Sequence, residues 1–96
     1  MGANKLSEEI EAAIGKMKDR GFQAWCARKM RVNRSAVNMI FHGRRLCTPK
    51  QAAALEQLFI QKGIPLNRWD LLYGLENEQG IMGLADYLAT KGNTEV

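Results

Sequence analysis

Residues 21–50 read GFQAWCARKMRVNRSAVNMIFHGRRLCTPK, and the spacing within this stretch decides the fold. A helix is expected from about Gln23 to Met30, followed by a short turn at Arg31 and Val32. Asn33 is placed to cap a further helix running to about His42, which Gly43 closes. Ala27 supplies a small side chain where two helices would cross closely. Val32 leaves the turn facing inward. Val37 and Ile40, three apart, face the same core as Cys26 and Met30. Thr48-Pro49-Lys50-Gln51 then combines an N-cap Thr, Pro at the first helical position and Gln three residues after the cap.

Working outward, the rest of the chain also reads as helices, with no alternating β-rich run and no internal repeat. Ser7 fits an N-cap, with Glu8, Glu9 and Glu11 favourably placed against the helix dipole. Leu6, Ile10, Ala13, Ile14 and Met17 recur at helical spacing, and Gly21 is expected to end that element. The helix opened by Thr48 carries Ala52, Leu55, Leu58 and Phe59 on one face and stops at Gly63, with Pro65 beyond. Asn67 can cap a short turn containing Trp69, Leu71 and Leu72. Ile81, Leu84, Ala85 and Leu88 fit a helical face in the tail, although Gly80 and Gly83 would each cost roughly 1 kcal/mol in a helix interior. Asn93 to Val96 are expected to fray. The fold class is therefore all-α: a five-helix domain over residues 1–74 and a C-terminal tail, 75–96, able to add a helix.

The 96 residues allow one domain, and 46% hydrophobic with 25% charged residues is an ordinary globular composition. No run approaches the 18 apolar residues of a membrane span. With no secretory signal visible, the chain is expected in the cytoplasm of a bacterial host, with Cys26 and Cys47 as reduced thiols. The net charge of +4 conceals an asymmetry. Between Asp19 and Glu56 there is no carboxylate, while Arg28, Lys29, Arg31, Arg34, Arg44, Arg45 and Lys50 all fall there. Residues 71–96 hold Lys91 against Glu76, Glu78, Asp86 and Glu95. Clustered bases without intervening acids can be a solvated face or a footprint for a polyanion such as nucleic acid.

The basic stretch coincides with the two short helices and their tight turn, which is the arrangement of a helix-turn-helix. The outward face of the second of these helices would show Asn33, Arg34, Ser35, Asn38 and Met39. Arg pairs bidentately with guanine, Asn with adenine, and an apolar group meets the thymine methyl. Asn33 can be a cap and a reader at once, Ser35 can be simply solvated, and Met39 can be a packing residue. Arg34 has no structural role that its position requires. His42 fits a phosphate-proximal or solvated helix end.

On these residues the sequence resembles the lambda-repressor-like superfamily, the Cro and repressor proteins of phages and plasmids. That pattern has Gln first, Ala fifth, Gly ninth, β-branched residues at fixed later positions and a Gly after the recognition helix. The chain supplies Gln23, Ala27, Val32, Val37, Ile40 and Gly43 in register. The segment Arg44 to Gly74, with its basic loop, Pro-started helix and central Glu56, extends the similarity toward small Cro-like and YdaS-type regulators. The resemblance covers roughly residues 6–74. It implies that Gln23 donates to a phosphate and that Arg44 and Arg45 grip the DNA backbone. Position nine is Arg31 instead of Gly. A left-handed turn there would cost about 1–2 kcal/mol, so either the turn differs or Arg31 is held by a phosphate.

The expected activity is sequence-specific repression of transcription by a homodimer. Its recognition helix, about 33–42, would enter the major groove of a palindromic double-stranded operator. Trp69, Leu72, Ile81, Leu84 and Leu88 are the leftover apolar residues assigned to dimerisation. Trp25 can pack on the first helix or belong to a partner surface. The rival reading is an antitoxin that binds a toxin protein through the acidic tail and autoregulates. No enzyme, cofactor or metal is expected: there is no Ser/His/Asp set, P-loop or glycine-rich dinucleotide turn. Cys26, His42 and Cys47 lack a paired zinc-ligand spacing.

Overall fold

In the computed structural model the described residues are 8–92, and they are mostly helical. The order is α1 (Glu8–Met17), α2 (Arg20–Met30), α3 (Arg34–Phe41), α4 (Pro49–Gln61), a single π-helical turn (Asp70–Gly74), a two-stranded hairpin of β1 (Glu76–Asn77) and β2 (Gly80–Ile81), and α5 (Leu84–Gly92). The strands pair antiparallel, Glu76 opposite Ile81 and Asn77 opposite Gly80. The cap expected at Ser7, Leu6 and the frayed end at 93–96 lie outside the described residues. Among the described residues no helix is long and apolar enough to cross a membrane.

The first boundary differs from expectation. Gly21 lies inside α2 instead of ending α1. The reason is Asp19, whose extended backbone (φ −89°, ψ 118°) lets its carboxylate accept from the Gly21 N–H at 2.8 Å. That cap starts α2 at Arg20, three residues before the expected Gln23. The start of α4 follows the sequence pattern closely. Thr48 Oγ1 accepts from the Gln51 N–H and Gln51 Oε1 accepts from the Thr48 N–H, both at 3.1 Å.

Helices α2, α3 and α4 meet on three phenylalanines. Phe22, Phe41 and Phe59 stand with ring centroids 6.1–6.2 Å apart. Tilted and offset pairs of this kind contribute about 0.5–1.5 kcal/mol each beyond the area they bury. Ala27 is buried beside them, as its small size at the crossing requires, with Cys26, Val37, Ile40 and Leu55 fully covered. Trp25 stacks on Phe22 with centroids 5.8 Å apart, and Lys62 Nζ lies 4.7 Å from its ring. Trp25 therefore bridges α2 to the end of α4.

The tail belongs to the same core. Helix α5 packs chiefly on α1, and Leu75, Leu84 and Leu88 join the cluster of Ile10, Ala13 and Met17. This corrects two expectations. Leu84 and Leu88 are fully buried within the chain's own core, so they are not available to pair two copies. Leu72 and Ile81 are half-buried against the same cluster. Residues 75–92 are also no separable appendage, since cutting after Gly74 would remove three fully buried leucines from the core. Gly80 and Gly83 fall outside α5, in and just after the hairpin, so neither weakens the helix. Gly83 packs against the end of α3, where a Cβ would come within 3.2 Å of the Phe41 carbonyl oxygen.

Two carboxylates clip the far side together. Glu56 on α4 accepts from the Arg68 backbone N–H at 3.0 Å and from its guanidinium at 2.9 Å. The N–H and the side-chain hydrogen bonds together hold the Glu56 carboxyl below its ordinary value. Asp70 and Asn67 exchange reciprocal bonds, each side chain accepting from the other's N–H. Asp70 also accepts from Tyr87 Oη at 2.7 Å and Lys91 Nζ at 2.9 Å, tying the π turn to α5. Burial raises the Asp70 carboxyl, but the bonds from Asn67, Lys91 and Tyr87 outweigh it and the net shift is downward. Tyr87 is pushed up to about 12, by burial first and then by its bond to the Asp70 charge.

Candidate nucleic-acid interface

Three residues, Arg31, Val32 and Asn33, separate α2 from α3. The turn is closed by two backbone bonds: Arg31 N–H to the Arg28 carbonyl at 3.3 Å and Val32 N–H to the Ala27 carbonyl at 3.0 Å. Arg31 takes the left-handed conformation, φ 60° and ψ 45°, and among the described residues it is the one non-glycine with positive φ. This is the conformation in which glycine usually ends a helix. The turn thus keeps the left-handed geometry that a Gly would give, with an exposed arginine in it.

Helix α3 divides cleanly into two faces. Val37, Ile40 and Phe41 are buried, while Arg34 and Ser35 are exposed. Met39 is 39% exposed, so it is not a core residue, although it does not line the cleft between α2 and α3. Asn33 occupies the cap position with an exposed side chain that makes no capping bond. Arg20, Gln23, Asn33, Arg34, Ser35 and Asn38 line an open cleft of about 400 Å³ between the start of α2 and the outer face of α3. Four of the five expected base-reading residues therefore share one concavity. Arg20 joins them although the sequence motif opens only at Gln23, because the Asp19 cap starts α2 three residues earlier.

Gln23 departs from the phosphate-donor role that the resemblance implies. It is 3% exposed and is the one buried polar side chain among the described residues. Its Nε2 donates to the Met17 carbonyl at 3.0 Å, and its Oε1 accepts from Asn38 Nδ2 at 3.2 Å. The Met17 carbonyl ends α1 and lacks a partner within that helix, so the Gln23 amide satisfies it.

The remaining phosphate candidates sit on exposed positions. Arg44 and Arg45 follow Gly43, and His42 is exposed at the end of α3. Gly43 has φ +74°, and the Arg44 N–H closes the turn on the Met39 carbonyl at 2.8 Å. The two ion pairs among the described residues, Arg68–Glu56 and Lys91–Asp70, use none of the bases between residues 21 and 50.

No protein-family model, curated protein or solved structure matches this chain.

Cys26 and Cys47 are buried, and burial pushes their thiols up to about 12 and about 11 against the opposing pull of Lys62 and Arg45. A thiol at such a value is protonated at neutral pH and is neither a nucleophile nor a ready ligand. Among the described residues no three His, Cys, Asp or Glu side chains stand close enough to hold a metal ion. Trp69 and Tyr73, 60% and 72% exposed, stack on each other with centroids 6.1 Å apart on the π turn. Trp69 is thus the one residue expected at a dimer contact that offers a large exposed surface.

Proposed function

We propose that the chain is a sequence-specific double-stranded DNA-binding repressor of the lambda-repressor-like, helix-turn-helix type. It acts as a homodimer in the cytoplasm of a bacterial host and carries no catalytic centre. Helix α3 enters the major groove, with Arg34, Asn38, Ser35, Asn33 and Met39 toward base edges and Arg31, His42, Arg44 and Arg45 toward phosphates. One observation carries this reading. The exposed polar face of α3 opens on a cleft lined by guanidinium, amide and hydroxyl groups, inside a segment with no carboxylate from residue 20 to 55. Side chains of that chemistry match the donor and acceptor edges of base pairs, and unpaired bases around them suit a phosphate backbone. A dimer places two copies of α3 about one helical turn (~34 Å) apart, and the exposed, stacked Trp69–Tyr73 pair offers an apolar surface that could join them.

The test compares two arginines. On a preferred duplex Arg34→Ala should lose about 1–3 kcal/mol and relax the preference at one base pair. Arg44→Ala should weaken binding to all duplexes alike and flatten the salt dependence by roughly one unit of slope. Equal loss from both changes on every duplex would contradict sequence readout by α3.

A further inference from the structure

The only buried polar side chain among the described residues lies directly beneath a residue of the reading face, and that pairing has a chemical consequence. Gln23 is held from one side by the end of α1. Its Nε2 donates to the Met17 carbonyl. Turning the amide over would set Oε1 against that carbonyl, two acceptors facing each other with no proton between them. Gln23 Oε1 therefore has a fixed direction, toward Asn38, and it accepts from Asn38 Nδ2 at 3.2 Å. The same argument then applies to Asn38. Turned over, its Oδ1 would face Gln23 Oε1. A relay of three groups, carbonyl to amide to amide, thus determines which way the outermost amide points. The inner link is buried and the outer link is half-buried at the cleft, so water competes poorly for either bond.

After this relay Asn38 retains one Nδ2 hydrogen and its Oδ1. One donor beside one acceptor matches the major-groove edge of adenine, which offers N7 as acceptor and the N6 amino group as donor. Guanine presents two acceptors there, N7 and O6, and would leave Oδ1 facing one of them. Resting on the DNA reading proposed above, we infer that Asn38 selects an A·T pair and that Gln23 is its positioning residue, acting on base preference through Asn38 and not through a phosphate.

The experiment starts from duplexes that the wild-type chain selects out of a random pool. Affinities of wild type, Asn38→Ala, Gln23→Met and the double variant are measured on the selected duplex and on a set with each base pair replaced in turn. Asn38→Ala should lose roughly 10- to 100-fold of discrimination at one A·T pair and keep its preferences elsewhere. Gln23→Met, close in shape but without the amide, should lose preference at that same pair. The double variant should be no less selective there than Asn38→Ala alone, because both changes break one relay. Equal weakening of all duplexes by Gln23→Met would overturn the inference and restore a phosphate contact. A G·C pair at the position that Asn38→Ala relaxes would also overturn it.

A second readout needs no DNA and does not depend on the stability of Gln23→Met at high temperature. In nuclear magnetic resonance spectra of the free chain, the Asn38 Nδ2 hydrogen that bonds to Gln23 should exchange slowly with solvent in wild type. Its exchange should rise to that of an exposed amide in Gln23→Met, at a temperature where backbone spectra show both chains folded. Unchanged Asn38 exchange would overturn the relay. Failure of the wild-type chain to select any sequence is a different outcome: it would defeat the DNA reading itself while leaving the relay measurable.

Discussion

The ends of α2 and α3 are built to one plan and differ at its tightest point. At each, one N–H bonds back three residues and the next bonds back five: Arg31 to Arg28 and Val32 to Ala27 in one, Gly43 to Ile40 and Arg44 to Met39 in the other. The end of α4 repeats the plan through Gly63 to Ile60 and Ile64 to Phe59. All three pivot residues have positive φ, 60°, 74° and 72°. Two are glycines and one is Arg31. At Gly43 the reason is steric as well as conformational, because a Cβ would stand 2.8 Å from Gly83 N and from the Ile81 carbonyl oxygen. At Gly63 nothing lies within 4 Å of a Cβ, so the left-handed backbone alone favours glycine. At Arg31 the same backbone is held by a residue that it disfavours. The difference places the departure from the helix-ending rule at the centre of the basic segment, where the side chain gained is an exposed guanidinium.

The largest effect should come from Gly43→Ala, which adds a clash with the hairpin to the left-handed penalty. Urea unfolding should show a loss of about 2–4 kcal/mol. A loss under 1 kcal/mol would mean that the contact with Gly83 and Ile81 yields easily. Gly63→Ala isolates the conformational part and should lose about 1 kcal/mol by the same measurement. Arg31→Gly reverses the sign, gaining about 0.5–1 kcal/mol of stability once glycine's extra unfolded-state freedom is counted. Under the proposed function it should also bind all duplexes more weakly, with the salt slope flatter by roughly 0.9. Stability gained without any loss of DNA affinity would remove the functional reason for the strained arginine.

Acid should leave these differences unchanged, since no ionisable group takes part in the three turns' hydrogen bonds. It should lower the stability of every variant together. The Asp70 and Glu56 carboxyls are held below their ordinary values in the folded chain. Their contribution is therefore present above the unfolded values and is lost as pH falls through the folded ones. Unfolding free energy should be level between about pH 5 and about pH 8 and decline below that range, and Asp70→Asn should flatten part of that decline.

What was legible in the sequence follows the range of the interactions. The Thr48–Gln51 box needs only groups three residues apart, so its residue types announce it. The apolar faces of α3 and α4 follow from helical spacing, and each fits the buried set observed. Leu84 and Leu88 were recognisable as apolar but not as core, because spacing does not say which surface covers them. Here that surface is α1, some seventy residues earlier in the chain. Position alone puts Gln23 in the motif, but the bond that satisfies its buried amide comes from the Met17 carbonyl of another helix. Arg20 entered the cleft because Asp19 caps α2 early. The Asp70–Tyr87–Lys91 cluster gathers residues from the π turn and α5, and no local pattern marks it.

The central claim is that α3 reads base sequence, and selection from a random duplex pool tests it most directly. Purified wild-type chain should enrich a palindrome whose half-sites repeat about every 10–10.5 base pairs, one turn of DNA. Recovery of no common sequence, with all duplexes bound equally and released alike by salt, would contradict it.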